Sequence, residues 1–183
     1  MRFICLKTDN SNFLYIEEVF KTLLGNFIKC ERLNDYLFIY NKEFNNKELT
    51  DTIQALELDL DSPISVYISY DNKENLLLDE WTLIKDLFSK CGNGIFTLKD
   101  LLEINRYIEN GNELLKFVLD GTGVDRKVIE AMALHDLNVS KASITLYMHR
   151  NTLMYKIDRL YEKTGFDIKT FRDLYTLYKL LGA

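Results

Sequence analysis

Residues 138–160 constrain the fold of this chain most, because their pattern predicts two short helices joined by a tight turn. A side-chain oxygen of Asn138 or Ser140 can cap the first helix by accepting a backbone N–H. The turn is predicted at residues 147–149, and the second helix follows at about residues 150–163. The stretch is therefore expected to form a helix-turn-helix.

The predicted second helix is amphipathic. Four residues spaced at i, i+4, i+7 and i+11 form its inner stripe, namely Leu153, Ile157, Leu160 and Thr164. The opposite face is polar and holds Asn151, Tyr155, Asp158 and Glu162, with Thr152 and Arg159 beside them. A helix that is polar and basic at its start and apolar underneath is typical of a recognition helix in a DNA major groove.

The same stretch resembles the C-terminal helix-turn-helix of PucR/CdaR-type transcriptional regulators. That family's core reads roughly N-L-S-x-T-A-x-x-L-x-x-H-R-N-T-L-x-Y-R-L-x-x-I-x-x-x-T-G. The matching residues are Ser140-Lys141, Leu146-Tyr147-Met148-His149-Arg150-Asn151-Thr152-Leu153, Tyr155-Lys156 and Lys163-Thr164-Gly165-Phe166-Asp167. The resemblance covers residues 124–183, and its H-R-N-T-L block is more specific than a general helix-turn-helix pattern.

Three positions depart from the family pattern. The T-A pair is Ala142-Ser143 here, and both residues are small enough for a close approach of the two helices. Met154 stands where the family often has a basic residue, and Lys156 replaces the family arginine. Fewer guanidinium groups are thus offered to DNA, so affinity or site preference is expected to differ from that of relatives.

Side-chain chemistry suggests a role for each candidate DNA-binding residue. Arg150 and Asn151 suit base edges, because Arg pairs with guanine and Asn with adenine. Thr152 and Tyr155 can reach bases or phosphates. The phosphate candidates are Ser140, Lys141, Lys156 and Arg159. His149 has two alternatives, since it can cap the second helix or point to DNA.

Two carboxylates limit the predicted DNA-facing surface. Asp158 and Glu162 lie on the outward face, where they would repel phosphate. The part of the helix that faces DNA is therefore expected to end near Arg159.

The charge of the chain is unevenly distributed. The net charge is −5, but residues 124–183 hold ten Lys and Arg against seven Asp and Glu, giving +3. The rest of the chain holds thirteen against twenty-one, giving −8. Because affinity for DNA depends on local positive charge, the acidic total does not exclude DNA binding. The acidic part is expected to be a sensor or dimerisation module.

The N-terminal part is predicted to be an α/β module. Its strands are expected at residues 2–6, 27–31, 36–40 and 64–70, and its helices at 12–24 and 47–58. This β-α-β-β-α-β order would give an antiparallel, ferredoxin-like sheet backed by two helices, and hence an α+β fold. It loosely resembles the degenerate GGDEF-like domain found upstream in some of these regulators, although the catalytic G-G-[DE]-E-F run is absent.

Helices are predicted between this module and the helix-turn-helix, the first starting at residue 73 or 74. Gly121-Thr122-Gly123 is the best domain boundary. We therefore expect an α/β module at residues 1–90, a helical linker at 91–121 and an all-helical DNA-binding domain at 122–183.

Several classes of site are not predicted. Cys5, Cys30 and Cys91 are far apart, and neither histidine has a metal-ligand spacing, so no metal is expected. No phosphate-loop pattern or set of catalytic residues occurs, so neither an enzyme nor a cofactor is expected. No apolar run reaches the length of a membrane span, and a cytoplasmic location is expected.

The sequence thus predicts a sequence-specific DNA-binding transcriptional regulator. A single short recognition helix of modest charge binds weakly, so a homodimer on a palindromic double-stranded site is expected. The residues leave an alternative open, a non-catalytic protein-interaction or ligand-sensing protein with a relic helix-turn-helix. A small-molecule effector of the α/β module is a further partner that the sequence does not name.

Overall fold

The computed structural model describes residues 2–25, 28–41, 45–69, 77–105 and 107–182. The chain divides into two compact units, Met1–Leu101 and Leu102–Ala183. The first unit holds a mixed sheet with helices, which confirms the predicted α+β class. The described part of the second unit is helical. The three-part division at residues 90 and 121 stays a prediction.

The first unit is built on a sheet of five strands. They are β1 (Arg2–Lys7), β2 (Lys29–Leu33), β3 (Tyr36–Asn41), β4 (Ser65–Ile68) and β5 (Gly94–Phe96). The strand order is β2-β3-β1-β4-β5, and the first four strands pair antiparallel. Because β5 pairs parallel with β4, the sheet is mixed rather than wholly antiparallel as expected. Asn34, with φ of +52°, makes the β2–β3 turn.

Four helices belong to or border this unit. They are α1 (Phe13–Leu24), which follows a short 3-10 helix at Asn10–Asn12, α2 (Asn46–Leu60), α3 (Leu77–Ser89) and α4 (Leu98–Ile104). Asn45 caps α2, because its side-chain oxygen accepts the N–H of Lys47 at 3.0 Å. The predicted starts of the second strand at residue 27 and of the third helix at residue 73 or 74 lie outside the described residues.

One face of the sheet packs against α1 and α2. Ile4 and Leu6 alternate along β1 with residues of the other face, as the period of a strand requires. They are buried with Phe13 and Ile16 of α1 and Ile53 of α2. This face is the two-helix side that the sequence predicts.

The other face carries an aromatic cluster that α3 covers. Phe3, Phe38 and Tyr67 of the sheet pack with Trp81 and Phe88 of α3, with ring centroids 5.1–6.1 Å apart. Helices therefore lie on both faces, and β1 is buried on both sides. The sequence predicts the helix but not this position for it.

The second unit contains the helices around the predicted helix-turn-helix. They are α5 (Gly111–Leu119), α6 (Arg126–Leu134), α7 (Val139–Thr145), α8 (Arg150–Thr164) and α9 (Phe171–Tyr178), with a final 3-10 helix at Lys179–Leu181. Helix α6 ends at Leu134. Asp136 and Leu137 have left-handed backbones, with φ of +50° and +66°. These conformations turn the chain, although the apolar period continues through Leu137.

The last helical segment is anchored to the end of α4 within the second unit. Lys179 Nζ donates to the carbonyl oxygen of Asn105 at 2.8 Å and also to that of Leu102. Burial lowers the pKa of Lys179 from its usual value. Arg172 forms an ion pair with Glu103. Carbonyl groups at the end of a helix are thereby satisfied by a cation, as the helix dipole favours.

Three further features of the described residues concern a membrane span, a metal site and a disulfide. None of their helices has the length and apolar character to cross a bilayer. Within the described ranges, no group of His, Cys, Asp and Glu is arranged to hold a metal ion. Cys5 is buried, Cys30 and Cys91 are half-buried, and all three are free thiols. Burial raises the pKa of each thiol, which disfavours the reactive thiolate.

We expect the replacement Tyr67→Phe to destabilise the protein. The Tyr67 hydroxyl donates to Glu80 Oε1 at 2.6 Å, and both side chains are buried. Burial raises the pKa of Tyr67 well above its usual value, so the hydroxyl stays protonated. Removing a donor from a buried carboxyl group costs about 1–3 kcal/mol. Urea denaturation measures this change as a lower midpoint.

Tyr40→Phe is the matched control. It removes a similar hydrogen bond, from Tyr40 to Glu31 Oε2 at 2.9 Å, which is exposed to solvent. There the carboxylate can be solvated by water, so the free energy of unfolding should change by about 0.5 kcal/mol or less. Equal losses in the two variants would contradict a special role for the buried pair.

Candidate DNA interface

Helix α7 begins at a side-chain cap. Asn138 Oδ1 accepts the N–H of Lys141 at 3.1 Å, so of the two predicted caps it is Asn138 that acts. Ser140 and Lys141 are exposed in the first turn of α7. Ala142 and Ser143 are buried, and α7 contacts α8. The two small residues lie where the resemblance places a small pair.

His149 caps α8. Its Nδ1 accepts the N–H of Asn151 at 3.2 Å, and its backbone is extended, as expected of a capping residue. An imidazole that accepts at Nδ1 carries its proton at Nε2 when neutral. The ring is exposed, so Nε2–H can still donate to another molecule. The capping alternative is thus observed, and it does not exclude a contact with DNA.

The turn between the two helices contains a strained residue. Tyr147 has φ of +51°, a left-handed backbone that bulky side chains rarely adopt. Its side chain is 98% exposed, so packing does not compensate for this strain. Tyr147 lies two residues before the cap of α8 and is a further candidate contact that the sequence pattern did not single out. A turn residue is visible in the sequence, but the sign of its φ is not.

The inner face of α8 fixes the rotation of the helix. Leu153, Ile157 and Leu160 are fully buried, and Thr164 is buried one turn later. The Thr164 hydroxyl donates to the carbonyl oxygen of Leu160 at 2.6 Å and accepts the N–H of Phe166 at 3.1 Å. Gly165, with φ of +69°, ends the helix. The predicted stripe and helix end are confirmed.

The outward face of α8 carries four of the candidate residues. Asn151, Thr152, Tyr155 and Arg159 are exposed. At about 100° per residue they project away from the buried stripe. They therefore form one polar surface over the first three turns.

Arg150 and Lys156 lie on opposite flanks of this surface. The same angular spacing places each of them nearer to the buried stripe than Tyr155. Arg150 is exposed at the first position of α8, whereas Lys156 is half-buried. A Cβ atom on Gly123 would lie 3.8 Å from Lys156 Cγ, so the lysine stem follows this loop. The candidates on α8 thus form an outward-facing group that Arg150 flanks on one side and Lys156 on the other.

The loop at residues 121–123 supports α8. Lys163 Nζ donates to the carbonyl oxygen of Gly121 at 2.9 Å. Gly121 has φ of +65°, and an added Cβ would lie 2.9 Å from that Nζ. Both glycines predicted as a boundary have positive φ, a backbone that glycine adopts without strain.

The candidate cations carry charge that no carboxylate of the described residues neutralises. Across the described ranges, no Asp or Glu forms an ion pair with Lys141, Arg150, Lys156 or Arg159. Their charge is therefore available to an anionic partner.

Asp158, on the predicted polar face of α8, has an ion-pair partner, unlike the four cations. Its Oδ1 accepts from Lys169 Nζ at 3.0 Å. The hydrogen bond to Asp158 raises the pKa of Lys169. Glu162 is exposed one turn later. The repulsion expected from Asp158 is therefore reduced by Lys169, which follows α8 and was not among the predicted residues.

We expect Tyr147→Asn to raise the stability of the second unit. Asn tolerates the left-handed backbone better than Tyr, and little packing is lost because the side chain is exposed. The free energy of unfolding should rise by about 0.5–1 kcal/mol. The same change at Tyr155, an exposed helical residue, should give no gain. Thermal unfolding of the two variants tests this, and a gain at both positions would contradict it.

Comparison with known proteins matches this region. Residues 126–181 match the family described as the PucR C-terminal helix-turn-helix domain. A segment of 63 residues is 36% identical to the carbohydrate diacid regulator of Escherichia coli (strain K12), covering 34% of this chain and 16% of that protein. A segment of 53 residues is 36% identical to the uncharacterized protein YxkF of Bacillus subtilis (strain 168), covering 29% and 18%.

The chain spans less than one fifth of the length of these two relatives. Among solved structures, it is similar to the regulator of polyketide synthase expression from Bifidobacterium adolescentis. The TM-score is 0.47 and the identity 17%, over 98% of this chain and 78% of that one. A likeness this weak does not establish a shared fold. Residues 126–181 are therefore identified as a PucR C-terminal helix-turn-helix domain, and over this segment the chain is similar to a regulator, as its sequence predicts.

Proposed function

We propose that the chain is a transcriptional regulator that binds specific double-stranded DNA sequences through α7 and α8. The N-terminal half of α8 would enter the major groove. Arg150 and Asn151 would read base edges, with Thr152 and Tyr155 beside them. The phosphates would be held by the remaining candidates, which are Ser140, Lys141, Lys156 and Arg159, with His149 donating from Nε2.

One observation carries the proposal. The cations Lys141, Arg150, Lys156 and Arg159 are without carboxylate partners in the described structure. The last three lie on α8, whose rotation is fixed by a buried stripe. An ordinary amphipathic core helix needs the stripe but does not need unpaired cations along its opposite side. Unpaired positive charge on a rigid helix is the arrangement that phosphate recognition requires.

Two copies are part of the proposal. One short helix can contact only a few base pairs, so a second copy on a palindrome multiplies affinity and specificity. The half-sites would then lie about one helical turn of DNA apart. The Escherichia coli relative is named as a regulator, which supports a role in the control of transcription. Only the helix-turn-helix segment is shared, so the effector of that relative is not inferred for this chain.

The role of the first unit is proposed as sensing or dimerisation. We infer that its order β2-β3-β1-β4 makes it a ferredoxin-like module, with β5 as an added edge strand. The divisions at residues 90 and 121, a small-molecule effector and a cytoplasmic location belong to the same proposal.

We expect Arg150→Ala to weaken sequence discrimination by about one to two orders of magnitude. Loss of a bidentate contact to a base costs about 1–3 kcal/mol of discrimination. The measurement is selection from fragmented genomic DNA with the purified chain, followed by titration of the selected site at two salt concentrations. Lys127→Ala is the matched control, because Lys127 is exposed on α6 and is not a candidate. It removes the same charge elsewhere in the domain.

Three results bear on the proposal. Enrichment of a palindromic sequence that Arg150→Ala loses and Lys127→Ala keeps supports it. Binding that weakens steeply with salt supports the phosphate contacts. If no sequence is enriched, or if both variants lose binding equally, the helix-turn-helix is a protein-binding surface or a relic.

We expect the pair Asp158–Lys169 to tune affinity for DNA. Lys169→Ala leaves the Asp158 carboxylate uncompensated on the outward face and should weaken binding by about twofold to fivefold. Asp158→Asn removes this charge and should strengthen binding, and the double variant should bind about as well as the wild type. Stability should hardly change, because the pair is solvent-exposed. Filter binding of the wild type, the two single variants and the double variant completes a double-mutant cycle. If Lys169→Ala binds as tightly as the wild type, the pair does not tune affinity.

A further inference from the structure

An apolar groove lies between α6 and α9, on a part of the second unit that the candidate DNA interface does not use. Its volume is about 830 Å³, and it is lined by apolar side chains of both helices. We call it the α6–α9 groove and define it by Glu130, Leu134, Phe171, Leu174, Tyr175 and Tyr178. None of the nine candidate DNA-binding residues lines it.

Helix α9 has more apolar residues than the core of one copy can bury, and those left over line the groove. Leu174 and Leu177 of α9 are buried in that core, as is Leu181 in the following turn. Phe171 and Tyr178 recur at helical spacing with these residues, yet they are 73% and 46% exposed. Part of this apolar stripe is therefore not covered by this copy, although exposing it to water is unfavourable.

The exposed side chains on either side of the groove form one patch. Leu134 of α6 is 71% exposed and Tyr175 of α9 is 57% exposed. The rings of Phe171 and Tyr175 stack, with centroids 5.9 Å apart and an interplanar angle of 17°. Rigid, clustered aromatic side chains are enriched at the centres of protein interfaces.

We propose that the α6–α9 groove is the surface through which a second copy of this chain binds. This inference rests on the proposed function, which requires two copies on one DNA site. A two-fold dimer buries the same patch of both copies. If a large apolar side chain has roughly 200 Å² of surface, the exposed fractions of Leu134, Phe171, Tyr175 and Tyr178 amount to about 500 Å² per copy. Two such patches give about 1,000 Å², the lower bound for a specific interface.

The charges at the groove are compatible with burial. Glu130 already accepts from Arg126 Nε at 2.8 Å, so it does not bring an unpaired charge into the contact. Asp136 also lines the groove and is exposed, which suits the polar margin of an interface. No residue of α8 lines the groove, so pairing there does not require the side chains proposed to contact DNA. A dimerisation surface for a DNA-binding protein needs that separation.

The test is sedimentation velocity of the 183-residue chain at micromolar concentration without DNA. Phe171→Glu and Tyr175→Glu place a charge in the groove, and both positions are exposed, so folding should be unaffected. A glutamate at position 171, the first residue of α9, is also favoured by the helix dipole. Tyr107→Glu is the matched control, because Tyr107 is an exposed aromatic residue of the same unit outside the groove.

The expected result is a dimer for the wild type and for Tyr107→Glu, and a monomer for both groove variants with unchanged thermal unfolding. A monomeric wild type would overturn the inference and assign the groove to another partner. Groove variants that remain dimers would overturn it as well, since the contact would then lie elsewhere.

Binding to single half-sites separates this inference from the proposed function. A monomeric Phe171→Glu variant should bind one half-site as the wild-type domain does, and should lose the extra affinity for a palindrome. If the dimer is lost as expected but no variant binds DNA, the proposed function fails and the groove assignment holds. If DNA is bound and the groove variants stay dimeric, the proposed function holds and the groove assignment fails.

Discussion

The buried stripe of α8 is the constraint on which the second unit depends. Leu153, Ile157 and Leu160 have no exposed surface, and the small side chain of Ala142 on α7 is buried with them. Apolar burial has no directional preference, but a stripe at helical period has only one rotation in which all its members leave water. This rotation decides which residues of α8 face outward. The buried residues of α8 therefore determine which of its side chains are offered to a binding partner.

Polar contacts fix what apolar packing leaves free, which is the position of α8 along its own axis. His149 satisfies the N–H of Asn151 at the start, and Gly165 ends the helix with a left-handed turn. The following loop is held because Asp173 Oδ2 accepts the N–H of Asp167 at 2.7 Å. The contact of His149 satisfies a backbone group that the start of a helix would otherwise leave unpaired, and that of Asp173 satisfies one in the loop. A helix fixed in rotation and in translation can hold donors in register with base edges.

Local chemistry could be predicted from the sequence, and non-local pairing could not. The start of α8, its stripe and its Gly165 end follow from caps and periodicity, which act within a few residues. The partner of Asp158 is Lys169, eleven residues later, and no periodic rule connects them. The backbone of Tyr147 is set by the angle between two helices, which lies beyond any single-residue preference. In the first unit, the position of α3 on the second face of the sheet depends in the same way on the completed sheet.

Stripe width contains information that stripe period does not. The period of α9 shows that the segment is helical, but Phe171 and Tyr178 extend its apolar arc beyond what one core can cover. Sequence alone does not say which part of a wide arc stays exposed. Once Leu174 and Leu177 are seen to fill the core, the remaining part is a second surface with its own requirement for burial. In this domain, the inner side of α9 stabilises the scaffold of α8, and its outer side forms the surface that we propose binds a second copy.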